Sequence, residues 1–244
     1  MVNGQPKGIQ VLFRAAEILR SIRPGSTLNV TELSRELHIG RSTLHRYLST
    51  MEQVGFVERT DEANYALGPL LAQLGVQALT TVQVVQIAAG TMNRLSEIAD
   101  ETVVLSIWGG DGAVVSRVAQ PDKLINVNVR PGTVLPDKAA QTAVFHHHLQ
   151  GEGRLAGDQQ GSEYIGEGQL ADYLEGGFYR QDDYVPGLTT LACPVFNSVG
   201  ITATLALVGT TNGITENLFK PKSQYLIEAA EKLSVMLGAE RRAQ

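Results

Sequence analysis

The chain carries one cysteine in 244 residues. A single thiol excludes an internal disulfide framework and a cysteine-cluster metal site. Charge is sparse as well: charged residues make up 18%, with 20 Lys+Arg against 25 Asp+Glu and a net charge of -5. That balance speaks against a protein that coats nucleic acid by bulk electrostatics. No run of about 18 apolar residues occurs, so no membrane span is expected. The opening Met1-Val2-Asn3-Gly4-Gln5-Pro6-Lys7 has no apolar stretch of the signal-peptide kind, and a cytoplasmic location is the expectation. There is no internal repeat, no nucleophile-base-orienter set and no phosphate-cradling glycine motif. Gly166-Glu167-Gly168 lacks the preceding strand and following helix such a motif needs. Neither an enzyme nor a cofactor is expected. What remains is an ordinary globular mix, 43% apolar, with chain enough for one large domain or two modest ones.

The charge is unevenly spread. Residues 1–68 carry eight Lys+Arg against seven acids, a net +1, which leaves twelve against eighteen, a net -6, for the rest. Such asymmetry points to two domains with different partners. In the first, Ile9, Leu12, Ala16 and Leu19 recur at helical spacing before Pro24-Gly25. Asn29 or Thr31 can cap a second helix containing Leu33 and Leu37. His38-Ile39-Gly40 reads as a tight turn, with glycine supplying the left-handed backbone. A third helix follows on the seam Leu44, Leu48 and Met51, and then a hairpin around Thr60-Asp61-Glu62-Ala63-Asn64. Pro69 to Leu79 predicts a leucine-rich linker helix carrying Leu70, Leu71 and Leu74.

Two short helices, a tight turn, a third helix and a hairpin describe a winged helix-turn-helix. With Leu44, Leu48 and Met51 turned inward, the third helix presents Arg41, Ser42, His45, Arg46 and Ser49 outward, and its first acid is Glu52. A helix that enters a major groove needs such a face, because a carboxylate beside the phosphates is repelled. Arginine can donate two hydrogen bonds to guanine, and Ser42 or Thr43 can reach base edges or phosphate. The plainer reading of the same face is the solvated side of an amphipathic helix.

The remainder predicts a mixed α+β domain. A helix over Val84 to Ala99 puts Val85, Ala88, Met92 and Leu95 on one side. Strands are expected at 103–108 and 113–118 around Gly109-Gly110-Asp111-Gly112, and at 125–129, 188–195 and 201–208. Helices are expected near 137–149 and 222–241, and the Gly-, Gln- and Glu-rich stretch 151–168 reads as a mobile surface connection.

The segments Gly40-Arg41-Ser42-Thr43-Leu44-His45-Arg46-Tyr47-Leu48, Met51-Glu52-Gln53-Val54-Gly55-Phe56-Val57 and Tyr65-Ala66-Leu67-Gly68 closely resemble the IclR family of bacterial transcription regulators. Gly132-Thr133-Val134-Leu135-Pro136 resembles the family's Gly-x-x-Leu-Pro turn, and the run from Pro186 to Phe196 resembles its effector-domain strand. The resemblance implies an α+β chain in three parts. These are a winged helix-turn-helix DNA-binding domain at 1–68, a linker helix at 69–81 and a GAF-like effector-binding domain at 82–244. It implies a ligand-responsive regulator, a repressor, that binds operator DNA as a homodimer or a dimer of dimers and senses a small organic molecule. Arg41, Ser42, Thr43, His45, Arg46 and the wing's Arg59 would contact DNA. Trp108, Leu135, Ala140, Asp183, Leu188, Thr190, Cys193, Ala206 and Val208 would line the effector pocket.

Two departures stand out. The wing tip carries Asp61 and Glu62, with Arg59 as its only cation, and Ala143-Val144 stands where the family usually has Gly-Lys. Family members that bind small polar acids place hydroxyls or thiols on the pocket strands. Thr190 keeps one, but Ala206 and Val208 offer none, which predicts a less polar pocket for an aromatic or aliphatic ligand with a polar end. Each of these strand residues reads equally as ordinary core. Cys193 has no neighbour in sequence that would activate it, and Trp108 reads as core anchor or pocket cover. His146-His147-His148 does not read as a metal site, since successive helical side chains diverge by about 100°. Asp182 reads as solvated beside Asp183 at the pocket mouth. The alternative from another class is an enzyme acting on a small organic acid, with an appended winged-helix module.

Overall fold

Local sequence already explains how the N-terminal elements begin and end. Asn29 caps the second helix, its Oδ1 accepting from the backbone N–H groups of Thr31 (2.9 Å) and Glu32 (3.3 Å). That helix ends in a Schellman motif: Ile39 N donates to Ser34 O at 3.2 Å, and the Ser34 hydroxyl donates to Ile39 O at 2.7 Å. The left-handed residue of the turn is His38 (φ 52°), not the expected Gly40. Gly40 has extended backbone (φ -58°, ψ 139°) and stands as N-cap of the third helix.

The computed structural model describes residues 10–22, 27–61, 64–151, 173, 176–182 and 184–239. The chain divides into two units, 1–81 and 82–244. In the first, α1 (Gln10–Arg20), α2 (Val30–Glu36) and α3 (Arg41–Gln53) pack with a three-stranded antiparallel sheet. Its strands are β1 (Leu28–Asn29), β2 (Val57–Arg59) and β3 (Asn64–Leu67), in the order β1-β3-β2. The linker helix α4 (Pro69–Thr81) completes the unit. The core gathers Ile18, Ile22, Leu33, Leu44, Leu48, Met51, Val57 and Tyr65. Each such buried side chain contributes about 1.5–3 kcal/mol. Leu44, Leu48 and Met51 thus form the inward seam of α3 as expected, whereas α1 buries Ile18 and leaves Leu12 and Phe13 exposed.

Two glycines fix the root of the hairpin. Gly55 has φ +78° and turns the chain out of α3. A Cβ on Gly68 would fall on the Gly55 carbonyl and stand 2.8 Å from Val57 N, so the backbones meet there at a distance that only glycine permits. The bond from Leu70 N to Gly55 O (3.1 Å) then ties the start of α4 to that root.

The second unit is a five-stranded antiparallel sheet ordered β5-β4-β8-β7-β6. Its strands are β4 (Thr102–Trp108), β5 (Ala113–Ala119), β6 (Tyr179–Asp182), β7 (Leu188–Phe196) and β8 (Ile201–Thr210). One sheet face packs Val103, Leu105, Leu191, Cys193, Leu205 and Leu207 against α5 (Gln83–Ala99) and α7 (Glu216–Met236). From α5, Val85, Ala88, Met92 and Leu95 are all buried there. The other face packs Ala192 and Ala206 against α6 (Ala140–Gly151).

Three sequence expectations change. Residues 125–129 form no strand: the Val127 carbonyl accepts from the side chains of Thr102 (2.8 Å) and Gln120 (3.1 Å) instead of joining a ladder. The last helix begins earlier, with Thr215 as N-cap, and ends earlier, where left-handed Gly238 (φ +80°) stops it. The polar strand β6 pairs at the sheet edge, where no strand was expected. The expected surface connection at 151–168 lies outside the described residues after Gly151.

Candidate functional sites

The N-terminal unit places the first candidate site on α3. Arg41, Ser42, Thr43, His45 and Arg46 are all exposed, opposite the buried Leu44–Leu48–Met51 seam. Among the described residues neither Arg41 nor Arg46 is held in an ion pair. Gly40 provides no side-chain cap, so the first amides of α3 open to solvent. Arg59 behaves differently, since its Nε donates to Asp61 O at 3.0 Å within the wing. Asp61 has a structural part too: it accepts from Asn64 N (3.0 Å) and from Asn64 Nδ2 (2.8 Å), tying the two sides of the wing together.

In the second unit the register brings most of the sensor candidates to one sheet face. Thr190 pairs with Val208 and Ala192 with Ala206 across β7 and β8, so Thr190, Val208 and Ala206 share the α6 side, and Leu188 is on it as well. Ala140 opens α6, and its N–H donates to Gln181 Oε1 at 2.9 Å. Gln181 pairs with Thr190 and also donates from Nε2 to Lys138 O at 2.6 Å, a bridge that the sequence did not suggest. Leu135 reaches the same layer: its N–H donates to Ala113 O at 2.7 Å and its carbonyl accepts from Thr142 Oγ1 at 3.4 Å. Trp108 packs against Phe145 (5.6 Å between ring centroids) and His146 (5.3 Å).

Cys193 falls outside this group. Strand alternation puts it on the opposite face, in the α5–α7 core, where burial beside Glu231 pushes its thiol far above the ordinary range. Such a thiol is inert. Asp183 lies outside the described residues. Its neighbour Asp182 pairs with Arg180 Nε at 2.8 Å and accepts from Thr189 Oγ1 at 2.7 Å. The three histidines diverge: His146 faces Trp108, while His148 Nε2 and the Tyr173 hydroxyl share a 2.6 Å hydrogen bond. Burial lowers the pKa of His146 and His147, with Asp137 opposing the shift at His146. Among the described residues no three His, Cys, Asp or Glu side chains converge to hold a metal ion.

Sequence reasoning missed the buried polar residues under α6. Gln141 Nε2 lies 3.2 Å from Thr204 Oγ1 and 3.3 Å from the carbonyls of both Val104 and Thr204, and Ser106 pairs with Thr204 across β4 and β8. Alternation along β4 and β8 was the signal that could have found Ser106 and Thr204, since both share the face of Ala206.

Compared with known proteins, residues 11–61 match the IclR helix-turn-helix domain. The N-terminal unit thus carries an IclR helix-turn-helix domain. It is 26% identical to the transcriptional regulator KdgR of Escherichia coli, across 96% of this chain and 95% of that protein. It is 24% identical to the transcriptional repressor AllR of the same species, across 95% and 92%. The fold of an IclR homologue from Microbacterium hydrocarbonoxydans, solved with 4-hydroxybenzoate, superposes with a TM-score of 0.72 at 20% identity, covering 93% of this chain and 98% of that one. These IclR-type relatives are transcription regulators, and the architecture is theirs: an N-terminal helix-turn-helix followed by a C-terminal α/β domain. Among the described residues no single helix is long and apolar enough to cross a membrane.

Proposed function

We propose that this chain is a cytoplasmic, ligand-responsive transcription repressor and not an enzyme. The observation that carries the reading is the exposed face of α3, where Arg41, Ser42, Thr43, His45 and Arg46 stand together with no acid before Glu52. Arg41 and Arg46 read base edges in a major groove, and the uncapped first turn of α3 faces backbone phosphate. Arg59 positions the wing.

The operator is bound by a dimer whose recognition helices lie roughly 34 Å apart, one turn of DNA. Support for self-association comes from apolar side chains left exposed in the N-terminal unit: Leu12 and Phe13 on α1, Leu74 and Val76 on α4. A dimer of dimers is the larger assembly compatible with the family.

The C-terminal unit binds a small organic effector with a polar end, aromatic or aliphatic, on the α6 side of the sheet. Trp108, Leu135, Ala140, Leu188, Thr190, Ala206 and Val208 line it. The 4-hydroxybenzoate bound by the Microbacterium relative supports that ligand class. The effector acts through unequal affinity for the DNA-competent and released arrangements.

A mobility-shift assay on DNA upstream of the protein's own gene tests the regulator reading. A shift at sub-physiological salt, relieved by an effector, is expected. Absence of any shift there overturns it. A thermal-shift series with small organic acids tests the sensor, and stabilisation by at least one is expected.

A further inference from the structure

The sheet face beneath α6 holds a polar group that the protein leaves unmatched. Ser106 is fully buried, and among the described residues no donor or acceptor reaches its Oγ. Folded proteins keep few buried hydroxyls in that condition, and a bound ligand group or an ordered water is what commonly accounts for one. The surroundings suit a ligand group. Thr204, the cross-strand neighbour of Ser106, is also fully buried, and its Oγ1 accepts from Gln141 Nε2 at 3.2 Å. On the other side, the β4–β5 pairing slips between Leu105 and Ser106, leaving Ser116 out of the ladder with its hydroxyl donated to Leu105 O at 3.0 Å. Such bulges re-aim side chains and cluster beside functional sites. Trp108 continues the same face two residues on.

The location matters as much as the hydroxyl. Val104 pairs with Ala206, and the next pair on that face is Ser106 with Thr204. Ala206 and Val208 give the sheet no side-chain donor, whereas this adjacent row supplies two hydroxyls and an amide. The core on this side of the sheet mixes small residues, Ala113, Ala143, Ala192 and Ala206, with Phe145 and Trp108. No ionised side chain is buried with them among the described residues, so the site suits an uncharged oxygen and not a naked carboxylate.

We infer that Ser106, with Thr204 and Gln141, forms a subsite for an uncharged hydroxyl or carbonyl end of the effector. The inference rests on the sensor reading above and adds to it where specificity resides. The donors missing at Ala206 and Val208 are moved one row along the sheet.

Calorimetric titration of the full-length protein with two matched pairs tests it: 4-hydroxybenzoate against benzoate, and 6-hydroxyhexanoate against hexanoate. The wild type is expected to favour the hydroxylated member of at least one pair by about 10-fold or more. Ser106→Ala is expected to erase that preference while leaving affinity for the unhydroxylated member unchanged, and Ser106→Cys to retain part of it. Without ligand, Ser106→Ala is expected to melt at or above the wild-type temperature, because the hydroxyl it removes has no partner. Wild-type binding without preference, or preference that survives in Ser106→Ala, overturns the subsite and leaves the sensor standing. A lower melting temperature for Ser106→Ala also overturns the subsite, by showing that protein or a trapped water already satisfies the hydroxyl. Wild-type protein that binds neither pair overturns the effector class itself, and the subsite with it.

Discussion

His38 holds the left-handed position that ends α2, at φ 52°, where a side chain costs about 1–2 kcal/mol relative to glycine. Part of that strain is offset because glycine loses more entropy on folding. His38→Gly should therefore stabilise the domain by up to about 1 kcal/mol, visible as a higher melting temperature. Histidines also set a pH dependence in the C-terminal unit. Burial holds His146 and His147 below the ordinary histidine pKa, so the unfolded chain takes up protons first as pH falls. Stability should decline from about pH 6.5 downward until the folded-state histidines protonate too. Melting temperatures between pH 7.5 and 5.5 check this, and replacing both histidines with asparagine should flatten that part of the curve.

At the scale of elements, the wing hangs on the contact between Gly55 and Gly68. Gly68→Ala would drive a methyl into the Gly55 carbonyl and should cost about 1–3 kcal/mol, lowering the denaturation midpoint of the N-terminal unit. Elements with strong periodicity were legible from sequence alone: the α3 seam of Leu44, Leu48 and Met51, and the α5 seam of Val85, Ala88, Met92 and Leu95. Misreadings arose where tertiary partners decide. Ile125, Val127 and Val129 alternate like a strand, yet Val127 gives its carbonyl to side chains. Tyr179-Arg180-Gln181-Asp182 has no apolar alternation, yet pairs with β7 at an edge where one side meets solvent. The start of α7 lies before Lys222, and the helix carries Pro221 within it. In the candidate sites, the exposed residues of α3 follow from helix geometry. Cys193 was misplaced because residue type outweighed strand alternation, which sends it to the face opposite Thr190. Gln181 escaped notice because its role is a bridge to α6, 41 residues away in sequence.

For the molecule as a whole, the charge of -5 conceals a division between a weakly cationic N-terminal segment and an acidic remainder. On the proposed reading, specific affinity rests on Arg41 and Arg46 presented in pairs, and with so few cations to neutralise phosphates the loss of binding with rising salt should be shallow. The C-terminal unit holds a buried ion pair. Lys222 Nζ lies 2.8 Å from Glu101 Oε1, Lys123 lies 3.3 Å from Oε2, and Lys222 also donates to Gly213 O at 2.9 Å. Gly209 and Gly213 leave the room that the Glu101 carboxylate occupies. Lys222→Met would leave that carboxylate with Lys123 alone and should cost about 1.5–3 kcal/mol, measured by denaturant unfolding. The most direct measurement is an anisotropy titration of DNA from upstream of the gene with wild-type protein and Arg46→Ala. Saturable wild-type binding that excess non-specific DNA does not remove is expected, lost in Arg46→Ala at an unchanged melting temperature. Equal binding by both proteins, or none by the wild type below physiological salt, would contradict a DNA-reading role for α3.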